Sequence, residues 1–194
     1  IPAIKAFLSK HPNVEIDIDS QDKEINLVND RIDLAIRIAV NPDPSLIGRP
    51  IAECESVLVA SPDYLCGKPV VTVPNDLAQH QWLGYKVFAP HILHLTQAEV
   101  HESVPLKCQF TANEVSMLAS ATRYGMGVTM LPKYMAKHAI EQGDFVQLLP
   151  DWELVHMQVW ALYPSRKFVA PEVRALIDHL IDFYQKNDWQ APYI

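Results

Sequence analysis

Four short apolar runs constrain this chain more than any other feature. They are "DLAIRI" (33–38), "SVLVAS" (56–61), "GVTML" (127–131) and "MQVWALY" (157–163). Each is too short for a typical helix and long enough to cross a sheet. Runs without polar alternation read as strands buried on both faces, which occur where helices cover both sides of a sheet. Helical patterns stand between them. Pro2 opens a short amphipathic stretch with Ile4, Phe7 and Leu8, ended by His11-Pro12-Asn13. Pro132 starts a helix that Gly143 ends. Pro171 starts the clearest one, with Val173, Leu176, Ile177, Leu180, Ile181 and Tyr184 on a single stripe. The expected class is α/β.

The first segment reads as a unit. "VEIDI" (14–18) alternates Val14, Ile16 and Ile18 with Glu15 and Asp17, the period of a half-buried strand. Asp22 can cap a helix carrying Ile25 and Val28, and "DLAIRI" follows. Strand, helix, strand at this spacing predicts a βαβ unit with parallel pairing and a right-handed crossover. After "SVLVAS" the texture changes, and Pro69, Pro74 and Pro90 break the chain into short elements. "PLKCQF" (105–110) alternates again. Thr111-Ala112-Asn113-Glu114 fits a capping box ahead of a helix with Val115, Leu118, Ala119 and Thr122, closed by Gly125.

Composition narrows the function. The 194 residues carry 16 basic and 23 acidic side chains, a net charge of -7. A domain that holds nucleic acid by itself is usually basic, so a direct DNA or RNA contact is not expected here. Cys54, Cys66 and Cys108 are too few and odd in number for a disulfide framework. Reduced thiols suit a cytoplasmic setting. No stretch is long enough to span a bilayer, so no membrane partner is expected, and the chain opens on Ile-Pro rather than a leader. It reads as a fragment, with a cleaved secreted protein as the other reading.

"DLAIRI", "SLIGRPIAECESVLVASPDYL", "PNDLAQHQWLGY", "YGMGVTMLPKYM" and "ALYPSRKFVAPEVRALIDHLIDF" together resemble the effector-binding domain of LysR-type transcriptional regulators. The resemblance runs from Ile1 to about Tyr184. It implies a fold like a type 2 periplasmic binding protein, with two Rossmann-like lobes joined by two crossing strands. By it, "SVLVAS" leaves the first lobe and "MQVWALY" returns. Lobe one is then 1–59 plus 160–194, and lobe two 60–159. The family's N-terminal winged helix-turn-helix, its linker helix, its first strand and the loop after that strand would precede Ile1. Ala39 departs from the glycine often found in relatives.

The resemblance also implies a small-molecule effector bound between the lobes, and DNA contact only through the N-terminal part. It implies homodimers or tetramers through the helix at 2–10 and the strand at 14–18. Three segments are expected at the cleft, since ligands in open α/β sheets bind beyond the carboxyl ends of strands. Ser20, Gln21 and Asp22 suit a carboxylate-bearing ligand at a helix start, or serve as a plain helix cap. Ser61 and Pro62 end the first crossing strand, with Ser61 facing the cleft or capping the "PDYL" turn. Thr111, Ala112 and Asn113 open a helix, with Gly127 in the following "GMG". There a capping box needs no ligand, and Glu114 opposes an anion.

Arg37 is the exception inside an apolar strand. It either forks onto a ligand carboxylate or pairs with an acid or a neighbouring subunit. Its strand places Ala35 and Arg37 on one face, and Leu34, Ile36 and Ile38 on the other. His91, His94 and His101 lack the spacing of a metal site. No GxGxxG, GKS/GKT, HExxH or GxSxG motif marks a cofactor or a catalytic centre, so neither cofactor nor enzyme activity is expected. The runner-up reading is a solute-binding protein of a transporter. An enzyme on the same scaffold comes third.

Overall fold

The computed structural model describes residues 1–20, 27, 30–42, 44–88, 91–164 and 169–187. The chain divides into two compact units, residues 1–54 with 157–189 and residues 55–156. It passes from the first to the second after Cys54 and returns after His156.

In the first unit, α1 (Pro2–Lys10) buries Ala3 and Phe7. β1 (Ala35–Ala39) and β2 (Ile47–Cys54) flank β10 (Met157–Tyr163), both antiparallel to it. α5 (Pro171–Lys186) lies on this sheet, with Ile177 and Leu180 buried on the expected stripe. The helices at 2–10 and 171–186 and the strand at 157–163 are where the periodicity puts them.

The βαβ reading of the first segment does not hold. Residues 14–18 form no strand, although Val14 and Ile16 are half-buried as the alternation requires; Ile18 is 57% exposed. β1 pairs antiparallel with β10 and with no other strand among the described residues. Alternation orients side chains, but a strand needs a partner for its N–H and C=O groups, and among the described residues none pairs with 14–18. The helix expected around Ile25 and Val28 lies outside the described residues.

The second unit has a mixed sheet. β3 (Ser56–Ala60) runs between β8 (Thr129–Pro132) and β9 (Val146–Leu148), antiparallel to both. β4 (Trp82–Tyr85) and β7 (Cys108–Ala112) pair in parallel. A parallel bridge from Trp82 to Val128 joins β4 to the strand entering β8. β3 is apolar from Val57 to Ala60 because both faces are covered there. Val57 and Val59 join a core with Leu118, Ala121 and Ala136 from α3 (Val115–Arg123) and α4 (Lys133–Glu141). Leu58 and Ala60 join a second core with Leu77, Trp82, Leu93, Leu95 and Val104. Trp82 lies on β4, and the last three lie on a hairpin of β5 (Ile92–Gln97) and β6 (Val100–Pro105).

The proline-rich stretch after β3 holds α2 (Pro62–Leu65) and a 3-10 turn at Pro74–Gln79. Asp76 fixes the entry to that turn. Its carboxylate accepts from the Thr72 and Val73 amides at 2.8 and 3.0 Å, and from the Thr72 hydroxyl at 3.0 Å. These bonds hold its pKa below the ordinary Asp value of 3.8. A depressed carboxylate stabilises the fold above its unfolded pKa, and that contribution is lost as pH falls through the folded one. Amide exchange at Thr72 and Val73 is therefore expected to accelerate on acidification below the ordinary Asp range, beyond the intrinsic trend. An Asp76→Asn variant should show the faster exchange already at neutral pH.

Candidate ligand-binding site

The two ends of the second unit's sheet differ in chemistry. The carboxyl ends of β4, β7 and β8 fall together with the start of β3, because β3 runs the other way and Ser56 stands opposite Pro132. Tyr85 ends β4 directly across from Ala112, the last residue of β7. Asn113 follows, exposed, and α3 begins with Glu114 as N-cap.

The side chain of that N-cap makes no hydrogen bond to the first backbone amides of the helix. The first amides of α3 therefore lack an intrahelical partner and present a positive dipole end. The Glu114 carboxylate instead accepts a 3.4 Å bond from the Ser116 hydroxyl. Tyr85 and Phe88 pack edge-to-face with ring centroids 5.6 Å apart, an aromatic wall just past the strand end. The Ser56 hydroxyl oxygen is buried without a hydrogen-bond partner among the described residues. Beside it, the Lys133 amide donates to the Glu55 carbonyl at 2.8 Å, and the Lys133 ammonium pairs with the Glu55 carboxylate. Aromatic surface, an exposed carboxamide and open amides at strand carboxyl ends are the ingredients of a small polar-ligand site.

The capping box expected over Thr111–Glu114 is corrected by this arrangement. Thr111 and Ala112 belong to β7, in register with Gly84 and Tyr85. Cys108, Phe110 and Ala112 share its half-buried face, and that burial extends the strand through the residues that would have capped the helix. The helix starts later, with Glu114 rather than Thr111 at its cap.

Ser61, Pro62 and Gly127 are not brought to this edge. Ser61 is buried, and its hydroxyl accepts from the Tyr64 amide at 3.3 Å, which is the cap of α2; Pro62 is that helix's first residue. The Tyr64 hydroxyl in turn accepts from the Gln81 amide at 2.8 Å. Gly125, just past the carboxyl end of α3, lies beside them, since a Cβ on it would stand 3.7 Å from the Ser61 hydroxyl oxygen. Asn113 precedes the other end of that helix, so about 13 Å of α3 separates the two groups. Gly127 is buried at the Ser61 end, against the Gln81 carbonyl.

In the first unit, Ser20 is exposed, and Gln21 and Asp22 lie outside the described residues. Arg37 stands across the ladder from Trp160 and is half-buried with Ala35 and Ala39; it has an interaction of its own within the protein. The exposed face of β1 is the apolar one, with Ile36 48% and Ile38 40% exposed. The arginine is thus on the better-covered side, and β1 is not a strand buried on both faces. Among the histidines, the His94 ring nitrogen Nδ1 meets the Ser103 hydroxyl at 2.8 Å and His101 Nδ1 meets the Thr96 hydroxyl at 3.1 Å. No group of three metal-ligating side chains converges among the described residues.

Tyr85, Phe88, Ser56 and Lys133 were not singled out in the sequence. Tyr85 closes a four-residue strand whose Gly84 masks its strand character. Ser56 and Lys133 carry no motif, and only the antiparallel course of β3 brings them to this edge.

A family model described as the LysR substrate binding domain matches residues 1–185. The chain is 33% identical over 176 residues to the HTH-type transcriptional regulator PtxR of Pseudomonas aeruginosa, covering 90% of this chain and 56% of that protein. The full-length structure of the Vibrio cholerae virulence activator AphB is similar with a TM-score of 0.77 and 30% identity, covering 94% of this chain and 62% of that one. The regulatory domain of CrgA from Neisseria meningitidis, at 24% identity, shares the fold with a TM-score of 0.79 over 94% of this chain and 90% of that one. The chain spans less than two thirds of the length of the curated relatives it matches, between 54% and 61%. Those relatives are named as HTH-type transcriptional regulators. No described helix is long and apolar enough to cross a membrane. The architecture is the type 2 periplasmic-binding-protein-like fold, and the chain belongs to the LysR substrate binding domain family of LysR-type regulators.

Proposed function

We propose that this effector-binding domain senses a small polar organic molecule in a cleft between its two lobes, with the carboxyl-end edge of the second unit as one wall. The observation that carries the reading is the grouping there of Tyr85, Phe88, Asn113, the open amides of α3 and the unpartnered Ser56 hydroxyl. A carboxylate on the ligand suits the amides, lying nearer to them than to Glu114. Thr111, at the strand end, and Ala112 are part of this wall. Ser20, Gln21, Asp22 and Arg37 are the proposed contributors from lobe one. Ser61, Pro62 and Gly127 serve the packing of the second unit in this reading.

The signal would pass to DNA through an N-terminal helix-turn-helix in the longer protein. An effector can act on it only by binding two arrangements of the domain with different affinity. Pairing of copies is proposed through α1 and the 14–18 segment, where the side chains of Ile1 and Ile18 are largely exposed. The regulators among the relatives favour this sensor over a transporter's solute-binding protein.

A thermal-shift screen with small organic acids tests the ligand reading. At a hundredfold excess over Kd a ligand stabilises by about 2.7 kcal/mol. For a domain of this size that raises Tm by about 5–11 °C. Tyr85→Ala and Asn113→Asp are each expected to abolish most of the shift for a hit. A hit whose shift survives both substitutions would remove this edge as the site.

A further inference from the structure

Within the first unit, β2, β10 and α5 border a half-open cavity of about 260 Å³, lined by Arg49, Tyr163, Val169, Arg174 and Ile177. It is built from the sheet upward. Arg49 stands opposite Ala161 on β10, and Tyr163 is two residues further along on the same face. Ala161 and Ile177 are buried and Val169 is half-buried, which makes the floor apolar. The rim is cationic. Arg49 gives Nη1 to Asp178 Oδ1 at 2.7 Å, and one such bond leaves most of the five guanidinium N–H donors for another acid. Arg174 sits one turn before Asp178 on α5, exposed, and has no ion pair among the described residues.

The size and the two-sided chemistry select an occupant. The volume is below that of pockets holding drug-sized ligands. Two guanidiniums and a phenol fit a carboxylate, to which arginine forks readily. Inorganic phosphate would satisfy the arginines but leave Val169 and Ile177 against a strongly hydrated ion. A second recess, lined by Ile32, Asp33, Tyr163, Pro164, Val169, Ala170 and Val173, adjoins the cavity and adds apolar surface; among these residues the acid is Asp33.

We propose that this cavity is a second ligand site, for a small organic acid whose carboxylate forks onto Arg49 and Arg174 and whose apolar body lies on Val169 and Ile177. It needs no residue of the second unit, so it stands whether or not the effector reading does.

Titration of the chain with hexanoate, acetate and inorganic phosphate, followed by ¹H–¹⁵N shifts and calorimetry, tests it. Hexanoate is expected to shift the amides of Tyr163, Val169, Arg174 and Ile177 in a saturable way, and to bind at least tenfold more tightly than acetate or phosphate. Arg174→Met changes an exposed side chain and keeps its stem, so the folded spectrum should persist while hexanoate affinity falls at least tenfold. Phosphate binding as tightly as hexanoate, undiminished hexanoate binding in Arg174→Met, or no saturable shift at these amides overturns the proposal. Hexanoate shifts confined to Tyr85 and Asn113–Ser116 also overturn it, and report instead on the effector edge.

Discussion

Phe7→Ala is expected to destabilise the first unit by about 3–5 kcal/mol, the usual cost of removing a fully buried aromatic side chain. Phe7 is completely inaccessible. Its ring lies 4.4 Å from His11 and 5.5 Å from His179, centroid to centroid, so it fixes α1 to α5. A polar tie joins the same two helices: His179 Nε2 donates to the Ala3 carbonyl at 2.9 Å. Alanine at position 7 leaves a cavity that the short helix cannot close, since the pyrrolidine of Pro2 and the turn after His11 fix both its ends. Thermal unfolding followed through Trp160, on β10 in the same unit, should move down by about 10 °C or more. Because α1 is proposed to join copies of the chain, self-association measured by sedimentation should weaken in the same variant. An unchanged transition would mean that α1 is held by something other than this ring.

Gly127→Ala is expected to cost about 2–3 kcal/mol, the upper range for overpacking. A Cβ there would stand 2.4 Å from the Gln81 carbonyl oxygen and 3.1 Å from its carbon, distances that only a backbone shift relieves. The backbone at this point is what ties β4 to the strand entering β8. The Val128 amide donates to the Gln81 carbonyl at 2.8 Å, and the Leu83 amide to the Val128 carbonyl at 2.8 Å. Moving Gln81 also disturbs its amide bond to the Tyr64 hydroxyl, and through Tyr64 the Ser61 cap. Amide exchange should rise at Leu83 and Val128 together, with a lower melting temperature for the second unit. A variant as stable as the wild type would contradict the close approach. Ligand affinity at the opposite edge should change far less than stability. That split separates a packing role for Gly127 from a contact role.

What could be read from the sequence follows from how completely each element is buried. β3 is an apolar run because a core covers each of its faces, β10 because Met157, Val159, Ala161 and Leu162 are buried, and α5 shows its stripe because one side alone is buried. The elements that escaped notice break the usual signals. β2 contains Gly48 and Pro50, which read as a turn. Pro50 is accommodated where the register slips between Val159 and Trp160, because a bulge needs no donor from it. The β5–β6 hairpin turns at Ala98-Glu99, with Ala98 at φ 51°, so no glycine or asparagine announces it. Conversely, "VEIDI" shows an ideal alternation and forms no strand, because pattern supplies orientation and not a partner.

The candidate site was legible in part. Thr111, Ala112 and Asn113 are at the carboxyl-end edge, though as the end of β7 rather than as a helix cap. Ser61 caps α2 away from this edge for a topological reason. It ends a strand that runs antiparallel to its neighbour β8, so its carboxyl end lies at the opposite side of the sheet from those of β4 and β7. The rule about strand carboxyl ends applies only to the parallel strands, and the direction of β3 is not encoded in its own residues.

The central claim is that the edge formed by Tyr85, Asn113 and the start of α3 receives the effector. Chemical-shift mapping of the chain saturated with a stabilising ligand tests it most directly. The predicted result is perturbation concentrated at Ser56, Tyr85 and the amides from Asn113 to Met117. Perturbation centred on Ser61, Gly125 and Gly127, with the amides of residues 113–117 unmoved, would contradict it.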